Sequence, residues 1–261
     1  MKHKKPLILI SNDDGITAPG IKALVECMKQ LGEVVVVAPD SPQSGMGHAI
    51  TINKPLRLDK SDYFGPEVLA YQCSGTPADC VKLAVDKVLS RRPDLLVSGI
   101  NHGSNSSINV IYSGTMSAAM EGAIEGMQAI GFSLLDYAMD ADFSVAKTVV
   151  LQVAKKVLDH GLPPDTLLNV NIPKLNKADY KGIKVCRQAR AKWQEKFDQR
   201  QDPYKRNYFW LTGEFLNLDS GEDTDEWALA HGYASLVPVQ FDLTAHHAIS
   251  TINTWKLNEK I

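Results

Sequence analysis

The sequence lacks any long apolar run: across its 261 residues no stretch reaches the roughly 18 residues that a membrane span requires. It also has little net charge, because 28 Lys and Arg stand against 30 Asp and Glu, leaving -2. Duplex nucleic-acid binders carry a basic excess, so this balance argues against that class. It leaves open a protein that handles one nucleotide at a time. Cysteine is scarce. Cys27, Cys73, Cys80 and Cys186 stand without metal or redox spacing, which reads as free thiols in a reducing cytosol. The basic start, Met1 to Lys5, is followed by apolar Leu7 to Ile10. That run is too short for a secretory segment and meets Asp13-Asp14 at once. Internal repeats and low-complexity tracts are absent as well. What remains, 44% hydrophobic and 22% charged residues, excludes collagen-like and disordered classes. The expectation is a cytoplasmic protein with a sizeable core.

The order of the elements narrows this class. Pro6 to Ile10 and Glu33 to Ala38 are short apolar runs, as expected of parallel strands buried on both faces. Between them Ile21, Leu24, Val25 and Met28 recur at helical spacing, with Gly32 as a C-terminal stop. Ile50 to Leu58 alternates and carries Pro55, which reads as an edge strand or hairpin arm. Thr76-Pro77-Ala78-Asp79 opens a helix: Thr76 caps and Pro77 suits the first turn. Asp94 to Ile100 is a further strand. A helix follows Ser113-Gly114-Thr115, with strands at 130–135 and 167–172 and a helix at 145–158. Strands alternating with helices predict an α/β fold with a mostly parallel sheet and helices on both faces. After about Val185 the character changes. Arg187 to Arg206 is charged and interleaved with Trp193, Phe197 and Tyr204, and Tyr208 to Leu216 is a strand. Asp219 to Glu226 reads as an acidic turn, Tyr233 to Gln240 as a strand, and the part after Ala245 as a weak helix. We therefore divide the chain into an α/β core, 1–185, and a β-rich C-terminal extension, 186–261, acting as a protruding assembly arm.

In an open parallel sheet, ligands bind beyond the carboxyl ends of the strands. There the first strand delivers Asn12, Asp13 and Asp14, the second Asp40 and then Ser44, and the third Ser98 and Asn101. Adjacent carboxylates, a hydroxyl and an amide carbonyl suit a hard cation such as Mg²⁺ or Mn²⁺. Each residue alone has an ordinary alternative. Asp13-Asp14 can be a turn, Ser44 a loop serine and Asn101 an Asx-turn amide. The start of the helix at Ser113, Gly114 and Thr115 offers free N–H groups and hydroxyls to a phosphate, or serves simply as a helix cap. A cation beside a phosphate cradle points to phosphoryl chemistry. His48 reads as a structural or supporting histidine.

Taken in order, the motifs resemble the survival protein E (SurE) family of metal-dependent 5′/3′-nucleotidases. The resemblance rests on Ile10-Ser-Asn-Asp-Asp-Gly15, on Ala38-Pro39-Asp40 with Ser44 and Gly47-His-Ala-Ile-Thr51, and on Ser74-Gly-Thr-Pro-Ala-Asp-Cys80. It continues through Ser98-Gly-Ile-Asn101, Gly103, Asn105 and Tyr112-Ser-Gly-Thr115 with Glu121-Gly122. It implies one divalent cation per subunit on Asp13, Asp14, Ser44 and Asn101. It implies phosphate binding at Ser113, Gly114, Thr115 and Asn105, and a nucleoside monophosphate as substrate. It further implies that 1–185 is a Rossmann-like catalytic core, and that the protein is a cytoplasmic homodimer or homotetramer built by exchange of the C-terminal extension, with no membrane and no duplex nucleic-acid partner. Some members also cleave short polyphosphate. Two departures stand out. Ser106-Ser107 lies where the family usually has a glycine, and Met116 where valine is common.

Two other readings of the same motifs are distinguishable. A covalent aspartyl-phosphate mechanism uses Asp-x-Asp after the first strand, where this chain has Asp13-Asp14-Gly15. A non-catalytic nucleotide sensor or RNA-associated stress protein would bind nucleotide on the same fold without releasing phosphate.

Overall fold

The computed structural model describes residues 5–257, so the basic start at residues 1–4 lies outside the described residues. The apolar runs form strands β1 (Leu7–Ser11), β2 (Glu33–Pro39), β5 (Leu95–His102), β6 (Gln128–Leu134) and β7 (Thr166–Ile172). Two short strands lie between β2 and β5: β3 (Leu58–Lys60) and β4 (Leu69–Cys73). With β8 (Ile183–Val185) and β11 (Ala234–Gln240) they make one nine-stranded sheet, ordered β3-β4-β2-β1-β5-β6-β7-β11-β8. The pairs from β4 to β7 are parallel. Near the edges β3 runs antiparallel to β4, and β11 antiparallel to β7.

The strands are apolar throughout because both faces are covered. Ile8 and Ile10 of β1, with Val34 and Val36 of β2, pack under helices α1 (Pro19–Met28) and α4 (Ser144–His160). Leu7, Leu9, Val35 and Val37 face the other way, toward α2 (Pro77–Leu83) and α3 (Gly114–Ile124). Alternation between two buried faces, rather than between core and solvent, is the mark of a doubly covered sheet. The protein is thus α/β, mostly parallel, with helices on both sides. Among the described residues no helix is long and apolar enough to cross a membrane.

Three expectations need correction, and one strand was not expected. Ile50 to Arg57 forms no strand, because its backbone is held by loop and helix-cap side chains. The Thr51 N–H donates to Asp79 Oδ1 at 3.0 Å and the Arg57 N–H to Ser74 Oγ at 2.9 Å. The edge strand begins only at Leu58, and β4 fills a sheet position that the sequence pattern does not announce. Gly32 does not stop α1, which ends at Met28. A Cβ at Gly32 would lie 2.3 Å from the Pro6 carbonyl oxygen, so this glycine permits a close crossing instead. The acidic turn gives way to a short helix, α5 (Asp225–Ala230), capped by Thr224, whose Oγ1 accepts from the Trp227 N–H at 3.2 Å.

The charged stretch after Val185 folds into a hairpin, β9 (Ala191–Gln201) against β10 (Asn207–Asn217), in unbroken register from Ala191↔Asn217 to Gln201↔Asn207. Phe197, Tyr208, Phe209 and Trp210 are exposed along it. The chain then returns, and β11 enters the main sheet between β7 and β8. A final helix, α6 (His246–Asn253), has no buried residue.

Candidate active site

Strand order reverses between β1 and β5: β2 lies on one side of β1, while β6 lies beyond β5. Ligands of open α/β sheets bind at such a switch point, beyond the carboxyl ends of the strands. The end of β1 carries the Asn12-Asp13-Asp14 turn. The Asn12 Nδ2 group donates to the Gly15 carbonyl at 2.9 Å and closes the turn. Its Oδ1 is buried without a partner, as are Ser11 Oγ and Ser98 Oγ at the facing ends of β1 and β5.

Asp13 is buried and lies against the start of α3. Thr115 Oγ1 donates to Asp13 Oδ1 at 2.5 Å. Gly114 makes this approach possible, since a Cβ there would lie 2.7 Å from Asp13 Cβ and 2.9 Å from Oδ2. The carboxylate therefore sits in the positive field of a helix N-terminus. Asp14 Oδ2 accepts from the His102 N–H at 3.2 Å. Burial and the neighbouring Asp14 charge push the Asp13 carboxyl up to about 6, against the hydrogen bonds from Thr115. Burial likewise raises Asp14, against the His102 hydrogen bond. Two adjacent carboxyls that are costly to ionise in place are the electrostatic signature of a site suited to a cation.

Asn101 reaches this end of the sheet through an irregularity. Ser98 pairs with Gly131 but Asn101 with Ser133, so β5 spends one more residue than β6 over the same span. Such a bulge re-aims a side chain. Asn101 Nδ2 donates to the Gly103 carbonyl at 3.0 Å, so the amide oxygen is the atom left to act as a ligand. Ser44 lies in an exposed loop that is pinned on both sides. The Gln43 N–H donates to the Asp13 carbonyl at 2.7 Å, and the Gly47 N–H to the Tyr112 carbonyl at 3.1 Å. Among the described residues the Ser44 hydroxyl has no hydrogen-bond partner, and no three His, Cys, Asp or Glu side chains group to hold a metal. The available donors are two carboxylates with neutral oxygens, a set that fits Mg²⁺ or Mn²⁺ and not zinc.

At the start of α3, Ser113 Oγ accepts from the Met116 N–H at 3.0 Å and so serves as the helix cap, while its own hydroxyl hydrogen can still be donated. The Thr115 hydroxyl is committed to Asp13. Asn105 is buried in a polar network that the sequence reading missed. Its N–H donates to Asn171 Oδ1 at 2.8 Å, its Nδ2 to Ser133 Oγ at 2.7 Å, and its carbonyl accepts from Asn169 Nδ2 at 2.8 Å. The available signal was Asn169 and Asn171, two residues apart in an otherwise apolar strand. α5 holds the same loop from the other side. Asp225 Oδ2 accepts from the Ser107 N–H at 2.7 Å, and Glu226 Oε1 from Ser106 Oγ at 2.5 Å. Ser106 and Ser107, the departure from the family pattern, are thus both anchored.

His48 belongs to a supporting group rather than to the carboxylate pair. Its Nε2 lies 2.9 Å from Glu121 Oε2, and Lys82 Nζ donates to Glu121 Oε1 at 2.6 Å. Glu121, on the buried face of α3, stands among the motifs of the resemblance, but its link to His48 and Lys82 was not foreseen.

The chain is similar to known proteins over nearly its whole length. The sequence model of the family Survival protein SurE matches residues 8–195. The 5′-nucleotidase SurE of Flavobacterium johnsoniae is 64% identical over 258 residues, covering 99% of this chain and 100% of that protein. The 5′-nucleotidase SurE of Bacteroides fragilis is 46% identical over 260 residues, covering 98% of this chain and 100% of that protein. The crystal structure of the SurE protein from Aquifex aeolicus superposes with a TM-score of 0.83 at 42% identity, covering 96% of this chain and 100% of that one.

Proposed function

The chain belongs to the survival protein SurE family and is a 5′-nucleotidase, a phosphoric monoester hydrolase; we propose that its centre is the β1–β5 switch point. In this reading Asp13, Asp14, Ser44 and Asn101 hold one divalent cation, Mg²⁺ or Mn²⁺. The observation that carries it is the direct contact between Asp13 and Thr115, which joins the carboxylate pair to the start of α3. The three unpartnered buried oxygens nearby support the fit of a cation. When bound, the cation supplies Lewis acidity and offsets charge on the phosphoryl oxygens.

The chain's own groups do the rest. The Gly114 N–H and the Ser113 hydroxyl donate to phosphoryl oxygens at the positive end of α3. Asn105, whose backbone is locked by Asn169 and Asn171, presents its amide from the opposite loop. Thr115 orients Asp13 and partly offsets the cost of its ionisation. Water adds to phosphorus, the ester P–O bond breaks, and a nucleoside and inorganic phosphate leave. The substrates are nucleoside 5′- and 3′-monophosphates, with short polyphosphate as a further phosphoanhydride substrate. The four cysteines, all free and buried, suit a cytoplasmic setting. The β9–β10 hairpin, with its exposed aromatic residues, suits an intersubunit arm in a homodimer or homotetramer.

Phosphate release across these substrates, in Mg²⁺ and Mn²⁺ and after EDTA, tests the reading. The expected result is release from monophosphates that stops with EDTA. Nucleotide binding without release would favour a sensor on the same fold.

A further inference from the structure

The root of the hairpin is docked beside the site. Trp193 Nε1 donates to Asn109 Oδ1 at 2.8 Å, on the turn of 3₁₀ helix that runs to Tyr112, and the Trp193 ring meets Phe215 edge-on at 5.5 Å. These contacts fix the indole without covering it: Trp193 is 41% exposed and Tyr112 48%. Between the hairpin and the site lies a cavity of about 480 Å³, lined by Gly45, Tyr112, Trp193, Glu195 and Leu211 together with Thr212 and its neighbouring glycine. Two of these residues border the proposed chemistry directly. Gly45 follows Ser44, and Tyr112 precedes Ser113.

The chemistry of the lining selects its occupant. It carries two aromatic rings, a leucine and one carboxylate, and no basic side chain. The Thr212 hydroxyl is spent on the Lys196 carbonyl at 3.0 Å. A second phosphate would find no cationic partner here, whereas a flat heterocycle would find π faces on which to stack. The volume lies in the range of small-molecule pockets.

We propose that this cavity is the nucleobase subsite, in which Trp193 and Tyr112 stack on the base of the bound nucleotide and Glu195 accepts a hydrogen bond from a nucleoside N–H or O–H. The inference rests on the nucleotidase reading of the adjoining site and adds to it: the hairpin takes part in choosing the leaving group. Because every base has a π face, stacking tolerates all of them and favours the larger purines.

The test compares the wild type, Trp193→Ala and Trp193→Phe, all as full-length chains, on adenosine 5′-monophosphate and on ribose 5-phosphate, which has no base. Trp193→Ala should lower the ratio of kcat/KM for nucleotide over ribose phosphate about tenfold, through the KM for the nucleotide. Trp193→Phe keeps a π face and should stay within about threefold of the wild-type ratio. An unchanged ratio in Trp193→Ala, or equal losses on both substrates, overturns the proposal. Quenching of tryptophan fluorescence by adenosine, which lacks phosphate, provides an independent readout. It should occur in the wild type and be lost in Trp193→Ala, and its absence from the wild type overturns the subsite. A wild type that releases phosphate from neither substrate, yet is quenched by adenosine, would refute the nucleotidase reading and leave the subsite standing.

Discussion

The Thr115 hydroxyl donates to Asp13 Oδ1 at 2.5 Å across 102 residues of sequence, so the start of one helix and the end of the first strand form a single polar unit. Partners one step removed from a metal contribute about 10–100-fold to affinity or activity. Thr115→Val should therefore weaken Mn²⁺ binding in calorimetry and lower kcat by about 10–100-fold. Thr115→Ser, which restores the donor, should recover most of both. Wild-type Mn²⁺ affinity in the valine variant would show that the hydroxyl only packs.

Asp13→Asn and Asp14→Asn each remove one carboxylate from a pair that burial already makes costly to ionise. Phosphate release should fall by at least about a hundredfold in each. Circular dichroism should be unchanged, and the melting temperature should not fall, because a buried charge has been removed. Full activity in either variant would remove the carboxylate pair from the site.

Glu121 supports α3 from within. Burial alone would raise its carboxyl, but hydrogen bonds from His48 and Lys82 outweigh it and hold the group below its ordinary value of 4.5. A carboxyl depressed in the folded state stabilises above the unfolded value and loses that contribution as pH falls through the folded one. Glu121→Gln should thus cost about 1–2 kcal/mol at pH 7, discounted for the half-exposed Lys82. In urea melts the difference from wild type should shrink below pH 4.5. A difference independent of pH would assign Glu121 a packing role alone.

Asn171 holds the Asn105 loop through one short bond, 2.8 Å from the Asn105 N–H to its Oδ1. Asn171→Ala leaves that buried N–H without an acceptor, which costs about 1–3 kcal/mol. Calorimetric melting should register the loss as a lower Tm, and KM for the nucleotide should rise because Asn105 is no longer held in place. A normal KM despite the lower Tm would separate the loop from substrate binding.

The hairpin can be shortened without disturbing α5. Lys196 pairs with Thr212, so replacing 196–212 by a tight turn joins Glu195 to Gly213 and spares Trp193 and Asp225. A cut extending to Asp225 would also remove the acceptor of the Ser107 and Ala189 N–H groups. The shortened chain should run as a smaller species in light scattering. An unchanged mass would show that the arm does not assemble subunits.

Much of this protein was legible as sequence. A buried parallel strand shows itself as an apolar run, so β1, β2, β5, β6 and β7 announced themselves, and Asp13-Asp14 marked the end of the first. The Tyr208 to Leu216 run marked one arm of the hairpin. Elements with mixed composition did not show: β4 reads Leu-Ala-Tyr-Gln-Cys, and α5 hid inside an acidic stretch that also looked like a turn.

By itself, the sequence determined the local elements, the doubly covered sheet and the residue types at the strand ends, because periodicity and capping are properties of neighbours in the chain. Only the tertiary structure decided that Thr115 bonds Asp13, that Asn169 and Asn171 lock the Asn105 loop, that Glu121 joins His48 to Lys82, and that β11 slots between β7 and β8. Each of these is a contact between distant segments. A residue's own surroundings in sequence say which face it occupies, but not which buried partner will satisfy it there.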